Sequence, residues 1–385
     1  CTYPSSYTFV TLLNACVELK AVDKGRHVHM QIVKESFERD IFVGNALVDM
    51  YCKFGFMVES QDVFDMLSNR DIVSWNSLIS GYVEHGFASE ALNCYKNMCD
   101  EGISPNAFTF TAILKACGSI GNLKMGEEIH VEISTEGLFE RYIVLGNTLV
   151  DMYVKCGLLT KAKEAFDELR RRDVVSWTTL LCGYAHHGLD NEALDCYARM
   201  RHEGIRPDAV TFCCILKSCG NKGAIEKGEE IHTRIASKRF LSNNVIVGTA
   251  LIDMYAKFGA LEKAQEVFDD LPFHDIISWT TLISGYAQLG KDNMVNDMFK
   301  GMIEGGIIPN LVTFSVVLNA YSHSGALDFG QVLFRSMITT YNILPTFEHY
   351  TCMVDLFARA GHFDKALLVI KEMPIFDYLS IWTSV

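Results

Sequence analysis

The chain has 385 residues, a formal net charge of −13 and a hydrophobic fraction of 49%. That apolar share suffices for a continuous core and is not the composition of a disordered chain, and no apolar run reaches the ~18 residues of a membrane span. The acidic balance argues against loose, sequence-blind nucleic-acid binding, which draws on a cationic surface, and leaves specific binding along one groove open.

The sequence opens at Cys1 with a repeating pattern already under way, so it reads as a fragment, with residues 1–5 the end of a truncated repeat. From there the chain copies itself. Trp75, Trp177 and Trp279 are spaced by 102 residues, and Trp382 follows 103 later. The "VDMY" at Val48 returns at Val150, as "IDMY" at Ile252 and as "VDLF" at Val354. This large unit subdivides. One aligned position falls in turn on Val10, Asn45, Asn76, Thr111, Asn147, Thr178, Cys213, Thr249, Thr280, Ser315 and Thr351, in steps that cycle through 31, 35 and 36 residues.

Each sub-repeat predicts two helices. In the first, Trp75, Leu78, Ile79 and Tyr82 fall at i, i+3, i+4 and i+7, one apolar stripe. Gly86, Gly188 and Gly290 follow, each suited to the left-handed residue that ends a helix. The second helix carries Ala91, Tyr95 and Met98 on one face, ends near Gly102, and is barred from continuing by Pro105. Such a hairpin buries its stripe only by stacking on neighbours. The expected fold is therefore all-α, a right-handed α-solenoid of stacked helix-turn-helix repeats with a concave groove.

Catalytic chemistry is not signalled. His29, His130 and His232 recur at the repeat period, as do Cys16, Cys117 and Cys219. Residues that return once per repeat are packing positions, so no metal site and no cofactor is expected. No phosphate-cradling glycine loop, nucleophile elbow or paired-carboxylate signature stands out. The thirteen cysteines form no Cys-x-x-Cys pair and read as reduced thiols.

Three alternating variants carry a resemblance. They are "VVSWTTLLCGYAHHGLDNEALDCYARMRHEGIRPD" at 174–208, "AVTFCCILKSCGNKGAIEKGEEIHTRIASKRFLSNN" at 209–244 and "VIVGTALIDMYAKFGALEKAQEVFDDLPFHD" at 245–275. They closely resemble the standard, long and short motifs of plant pentatricopeptide repeat proteins of the PLS class. The resemblance makes residues 6–378 eleven such repeats. "EHYTCMVDLFARAGHFDKALLVIKEMP" at 348–374 looks like the final short motif, and residues 379–385 look like the start of the extension motif that follows it.

The resemblance implies a function and its residues. The base-reading positions are the fifth residue of a motif and its last. Carried over, the readers are Asn45 with Asp71, Asn76 with Asn106, Asn147 with Asp173, Thr178 with Asp208, Thr249 with Asp275 and Thr280 with Asn310. The long motifs offer Val10 with Asp40, Thr111 with Tyr142, Cys213 with Asn244 and Ser315 with Thr346, and the last motif Thr351 with Tyr378. One base per repeat is the family's code, and applied here it gives U-Y-n-U-G-n-G-A from Asn45 onward. Val73, Val175 and Ile277 would sandwich the bases; core packing is the rival reading of these three. Lys53, Lys155, Lys257 and Arg359 share one position, two residues before a Gly, where a cation either contacts RNA phosphate or serves the helix dipole.

The implied function is sequence-specific binding of single-stranded RNA, with no DNA or membrane partner. The implied role is the non-catalytic recognition part of a C-to-U editing factor in a mitochondrion or chloroplast, acting with an editing deaminase or accessory editing factors. Two alternatives stand beside it. One is a tetratricopeptide-like scaffold for proteins or peptides, which the 31/35/36 cycle disfavours. The other is a parent chain carrying its own C-terminal deaminase domain.

Overall fold

The computed structural model describes residues 4–237 and 244–373. The expected stub at residues 1–5 lies outside them in part, and Tyr378 and the expected extension motif at 379–385 lie outside them entirely. Every regular element is helical, and the helices come in pairs. The first pairs are α1 (Ser6–Glu18) with α2 (Val22–Lys34), α3 (Ile41–Phe54) with α4 (Met57–Met66), α5 (Ile72–Glu84) with α6 (Ala88–Asp100) and α7 (Ala107–Ile120) with α8 (Leu123–Thr135). Then come α9 (Ile143–Lys155) with α10 (Leu159–Glu168), α11 (Val174–His186) with α12 (Asp190–His202) and α13 (Ala209–Lys222) with α14 (Ile225–Ser237). The last are α15 (Val245–Lys257) with α16 (Leu261–Asp269), α17 (Ile276–Gln288) with α18 (Asp292–Glu304), α19 (Leu311–Ser324) with α20 (Leu327–Thr339) and α21 (Phe347–Arg359) with α22 (Phe363–Glu372). None of the described helices is long and apolar enough to cross a membrane.

The chain divides into two compact units, residues 1–187 with 196–206, and residues 188–195 with 207–385. Each is a stretch of α-solenoid. In the first, α1, α3, α5, α7, α9 and α11 pack one on the next; in the second, α13, α15, α17, α19 and α21 do the same. Second helices such as α4, α6, α8 and α18 pack against their own partner and the first helix that follows, and no comparable contact joins successive second helices among those described. The first helices are thus the close-packed layer and the second helices the spread one.

The predicted stripes form that core. Trp75, Leu78 and Ile79 are buried, as are Ala91, Tyr95 and Met98 on α6, while Tyr82 is half-buried and donates to Gln61 Oε1 at 2.8 Å. Trp75, Trp177 and Trp279 each meet the edge of a phenylalanine, Phe64, Phe166 and Phe268, at 4.7 Å between ring centres. Arg70 and Arg172 lie over the first two of these phenylalanines and donate to their carbonyls; His274 takes the place in the third and stacks on Phe268 at 4.1 Å. Gly86, Gly188 and Gly290 adopt φ of +80°, +72° and +63°, the left-handed closure expected of them. Among the described cysteines, ten are free thiols, but Cys182 and Cys214 are disulfide-bonded. This corrects the expectation of uniformly reduced thiols. The two lie outside the repeating set, since their counterparts one period away are Ser80 and Ser284, and Ala112 and Val316.

The glycine of the repeated Gly-Tyr pair sets how closely first helices approach. A Cβ on Gly81 would collide with the Cys52 sulfur; on Gly183 it would lie 2.6 Å from Val154 Cγ2, and on Gly285 2.7 Å from Ala256 Cβ. Helix propensity alone would favour alanine by about 1 kcal/mol. The contact reverses that preference. Gly81→Ala is expected to destabilise the protein by about 1–3 kcal/mol in urea unfolding, the usual cost of overpacking.

Candidate nucleic-acid interface

The positions that vary while the frame repeats gather at the first turns of the first helices. Asp71 caps α5, its carboxylate accepting from Ser74 N at 2.9 Å. Asn106, Asp173, Asp275 and Asn310 cap α7, α11, α17 and α19 in the same way. Asp and Asn suit this place because a short side-chain oxygen satisfies an amide left without a partner inside the helix. The last residue of one motif therefore starts the first helix of the next.

The predicted reader of the preceding first helix reaches that cap. Asn45 Nδ2 donates to Asp71 Oδ1 at 3.2 Å, Asn76 Nδ2 to Asn106 Oδ1 at 3.3 Å, and Asn147 Nδ2 to Asp173 Oδ1 at 3.3 Å. Thr280 and Asn310 meet through Thr313, whose hydroxyl lies 2.9 Å from one and 3.1 Å from the other. Thr249 differs: its hydroxyl donates to Val245 of its own helix at 3.0 Å, while Asp275 accepts from Ser278 N, so this pair is not hydrogen-bonded. Thr178 belongs to the first unit and Asp208, which caps α13 through Thr211 N at 2.8 Å, to the second. Of the long-motif readers, Thr111 is turned to Ala107 of its own helix, and burial pushes the Cys213 thiol up to about 11. Thr351 likewise donates to Phe347.

Some of the predicted readers are recessed: Asn45 and Asn147 are only 7–8% exposed, while Asn76, Thr249 and Thr280 are half-buried. Burial by itself would raise the Asp71 and Asp173 carboxyls. The hydrogen bonds from Ser74 and Ser176, and from the Asn45 and Asn147 amides, outweigh it and hold both below the ordinary carboxylate value. Both caps are thus anionic at neutral pH.

Beside this recessed row runs an exposed apolar one. Val73, Val175 and Ile277 are 52%, 52% and 61% exposed, so core packing does not account for them. The expectation covered the second place of each motif, of which these three are examples: Tyr7, Phe42, Phe108, Val144, Val210, Ile246 and Val312 occupy it too and are at least as open as Val73, while the last motif has Glu348 there.

The four predicted phosphate contacts are surface side chains, each ion-paired with the aspartate four residues earlier. Lys53 meets Asp49, Lys155 Asp151, Lys257 Asp253 and Arg359 Asp355, all at 2.7–2.8 Å. The recurring histidines are packing groups, as expected: His29, His130 and His232 share hydrogen bonds of 2.8–2.9 Å with Tyr51, Tyr153 and Tyr255. No cluster of three His, Cys, Asp or Glu with metal-binding geometry occurs among the described residues.

Burial lowers the pKa of His29, His232 and His349, so the folded protein holds them neutral. The unfolded chain takes up their protons first, near pH 6.5. Their contribution is therefore complete above that pH and is lost as pH falls through it. The melting temperature is expected to fall between pH 7.5 and 5.5, and less steeply when the three are replaced by glutamine.

A stack of helical hairpins whose first helices are capped by the last residue of the motif before defines a modular helical-repeat protein. Comparison with known families specifies it further. The PPR repeat family model matches residues 70–119, 172–221 and 274–323, and the PPR repeat model matches 45–72, 108–138, 147–174, 249–276, 312–344 and 348–377. A pentatricopeptide repeat-containing protein of Arabidopsis thaliana is 36% identical over 378 residues, which are 98% of this chain and 46% of the relative. A mitochondrial one from the same plant is 34% identical over 382 residues, 99% of this chain and 68% of the relative, and a chloroplastic one is 34% identical over 372, 96% and 49%. The chain belongs to the pentatricopeptide repeat family. It spans 46–63% of the length of several close relatives. Its fold is similar to that of pentatricopeptide repeat protein PPR10 in complex with an 18-nt psaJ RNA element, with a TM-score of 0.70 at 19% identity over 87% of this chain and 50% of that one. The structure of PPR10 from maize gives 0.67 at 20% identity over 96% and 58%.

Proposed function

We propose that this chain binds single-stranded RNA in a sequence-specific way, one base per reading motif, along its first-helix layer. The observation that carries this is the double row at the first turns: recessed Asn and Thr readers on anionic or amide caps, flanked by exposed apolar residues. Apolar and aromatic side chains offer stacking surface to any base, and the polar row beneath offers donors and acceptors to its edge. Charge distribution supports the reading. The first helices carry seven acidic and seven basic side chains, the second helices twenty-seven acidic and sixteen basic. The excess negative charge of the chain thus rests on the layer that does not read.

The finer reading is that the motifs are of the PLS class, that residues 6–378 form eleven of them, and that an extension motif begins at 379. In it the chain is the recognition part of an editing factor that marks a cytidine for C-to-U conversion, in concert with a deaminase or accessory factors. The relatives named mitochondrial or chloroplastic support an organellar location.

One substitution tests base reading. Thr249→Asn gives Asn with Asp275, the combination at Asn45 and Asp71. The base preferred at that place is expected to move from G to U, and nowhere else, by a margin of about 1–3 kcal/mol in competition between RNAs differing at one base. A variant that still prefers G would show that Thr249 supports the helix alone. A second test concerns phosphate. Replacing Lys53, Lys155, Lys257 and Arg359 together with glutamine is expected to weaken all RNAs alike and to reduce the salt slope by up to about three. An unchanged slope would leave these cations to their aspartates and the helix dipole.

A further inference from the structure

We infer that the reading sites at Asn45, Asn76 and Thr280 have a third member, the hydroxyl at the third place of the following motif, which engages the reader and so selects the base; this rests on the proposed RNA reading. At Asn45 the member is Ser74. The Asp71 backbone amide approaches Ser74 Oγ at 3.2 Å, Ser74 Oγ approaches Asn45 Oδ1 at 2.6 Å, and Asn45 Nδ2 approaches Asp71 Oδ1 at 3.2 Å. A backbone N–H only donates, so Ser74 Oγ accepts from it and has its own proton free to donate to Asn45 Oδ1. The Asn45 amide nitrogen then donates to Asp71. The ring of three bonds runs in one direction, and its direction is set by a group that has no alternative.

The same ring is built at Asn76. Asn106 N donates to Thr109 Oγ1 at 3.2 Å, Thr109 Oγ1 to Asn76 Oδ1 at 2.6 Å, and Asn76 Nδ2 to Asn106 Oδ1 at 3.3 Å. At Thr280 the hydroxyl of Thr313 lies 2.9 Å from the reader and accepts from Asn310 N at 3.4 Å. At Asn147, Ser176 accepts from Asp173 N at 3.2 Å and turns its proton to the Asp173 carboxylate, which leaves Asn147 Oδ1 buried with no partner. That orphaned oxygen is the acceptor which Ser74 satisfies at Asn45. Ser74, Thr109, Ser176 and Thr313 are all fully buried.

Their distribution follows the readers. The six standard and short motifs with Asn45, Asn76, Asn147, Thr178, Thr249 and Thr280 are followed by Ser74, Thr109, Ser176, Thr211, Ser278 and Thr313, although Ser278 turns to the Asp275 carbonyl and Thr249 to Val245. The long motifs at Val10, Thr111 and Cys213 are followed instead by Val43, Leu145 and Val247, which have no hydroxyl. After the fourth long reader, Ser315, comes His349. Its Nδ1 accepts from Thr346 N at 3.1 Å, so its proton is on Nε2, 3.0 Å from the Leu311 carbonyl and 3.2 Å from Ser315 Oγ.

The consequence is a fixed set of free groups. With Asn45 Oδ1 committed to Ser74 and one amide hydrogen to Asp71, the site offers the second amide hydrogen as a donor, with Asp71 Oδ2 and the other Oδ1 lone pair as acceptors. An imide edge, with a donor N–H beside acceptor carbonyls, meets that set. Without the hydroxyl, Asp71 still holds the amide nitrogen, but Asn45 Oδ1 loses its partner and becomes a further acceptor open to bases that present a donor.

The experiment is competition binding on the 385-residue chain with RNAs that differ only at the base facing Asn45. Wild type is expected to prefer U by about 5–150-fold. Ser74→Ala is expected to bring this preference to within about threefold of none, with selectivity facing Asn76 and Asn147 unchanged, and Ser74→Thr to restore it. Thr109→Val, which keeps the side-chain shape, is expected to erase selectivity facing Asn76 alone. A wild-type preference that survives in both Ser74→Ala and Thr109→Val overturns the inference and leaves base reading standing. Loss of selectivity at all positions together assigns the hydroxyls to folding and equally overturns it. A wild type without any base preference overturns the reading function itself. Circular dichroism melts of each variant identify any that fail to fold, in which case the isosteric Thr109→Val decides.

Discussion

The N-terminal cap of each first helix is the interaction on which the rest depends. A helix start leaves its first amides without partners. In this chain the partner comes from the last residue of the motif before, so the helix begins where the neighbour ends. The cap joins consecutive motifs, fixes the depth at which the preceding reader sits, and supplies the carboxylate or amide beside it. The Gly-Tyr contacts then hold neighbouring first helices at the spacing that lets Asn45, Asn76 and Asn147 reach across. Packing and recognition use the same few atoms.

The fold was legible because its signals repeat. Helix pairs, glycine closures and the core stripe through Trp75, Leu78 and Ile79 follow from apolar spacing, and eleven copies leave little room for accident. The proposed readers could be named only through family resemblance, since spacing alone does not separate Asn45 from any other polar residue near an apolar stripe. Other features required coordinates. Ser74 and Thr109 read in sequence as ordinary capping-box residues, and only distance ties them to the reader of the motif before. The openness of Val73, Val175 and Ile277 was undecidable from hydrophobicity, which predicts burial for all three. Cys182 and Cys214 escaped because neither repeats, and reasoning from periodicity passes over what occurs once.

An acidic chain with a proposed affinity for RNA is a smaller contradiction than its total charge implies. Within the helices the surplus lies on second helices such as α4 and α16, while the first helices are balanced apart from anionic caps such as Asp71 and Asp173, four of their seven cations being held by aspartates on the same helix. Attraction to phosphate is then weak wherever the bases do not fit, and misplacement on the second-helix layer is opposed. Such a surface gains selectivity by giving up general affinity.

Because the buried hydroxyl proposed to engage a reader comes from across a motif boundary, the sequence repeat and the proposed recognition module are out of phase. A segment excised from the first residue of one motif to the last of the same motif carries its reader and its cap, but leaves that hydroxyl behind and brings one suited to a different neighbour. A junction between the third and fifth places of a motif, inside the first helix, would carry a whole module intact. On the proposed reading, any exchange of these repeats, whether through gene conversion or in a designed array, preserves specificity only when its junctions fall there.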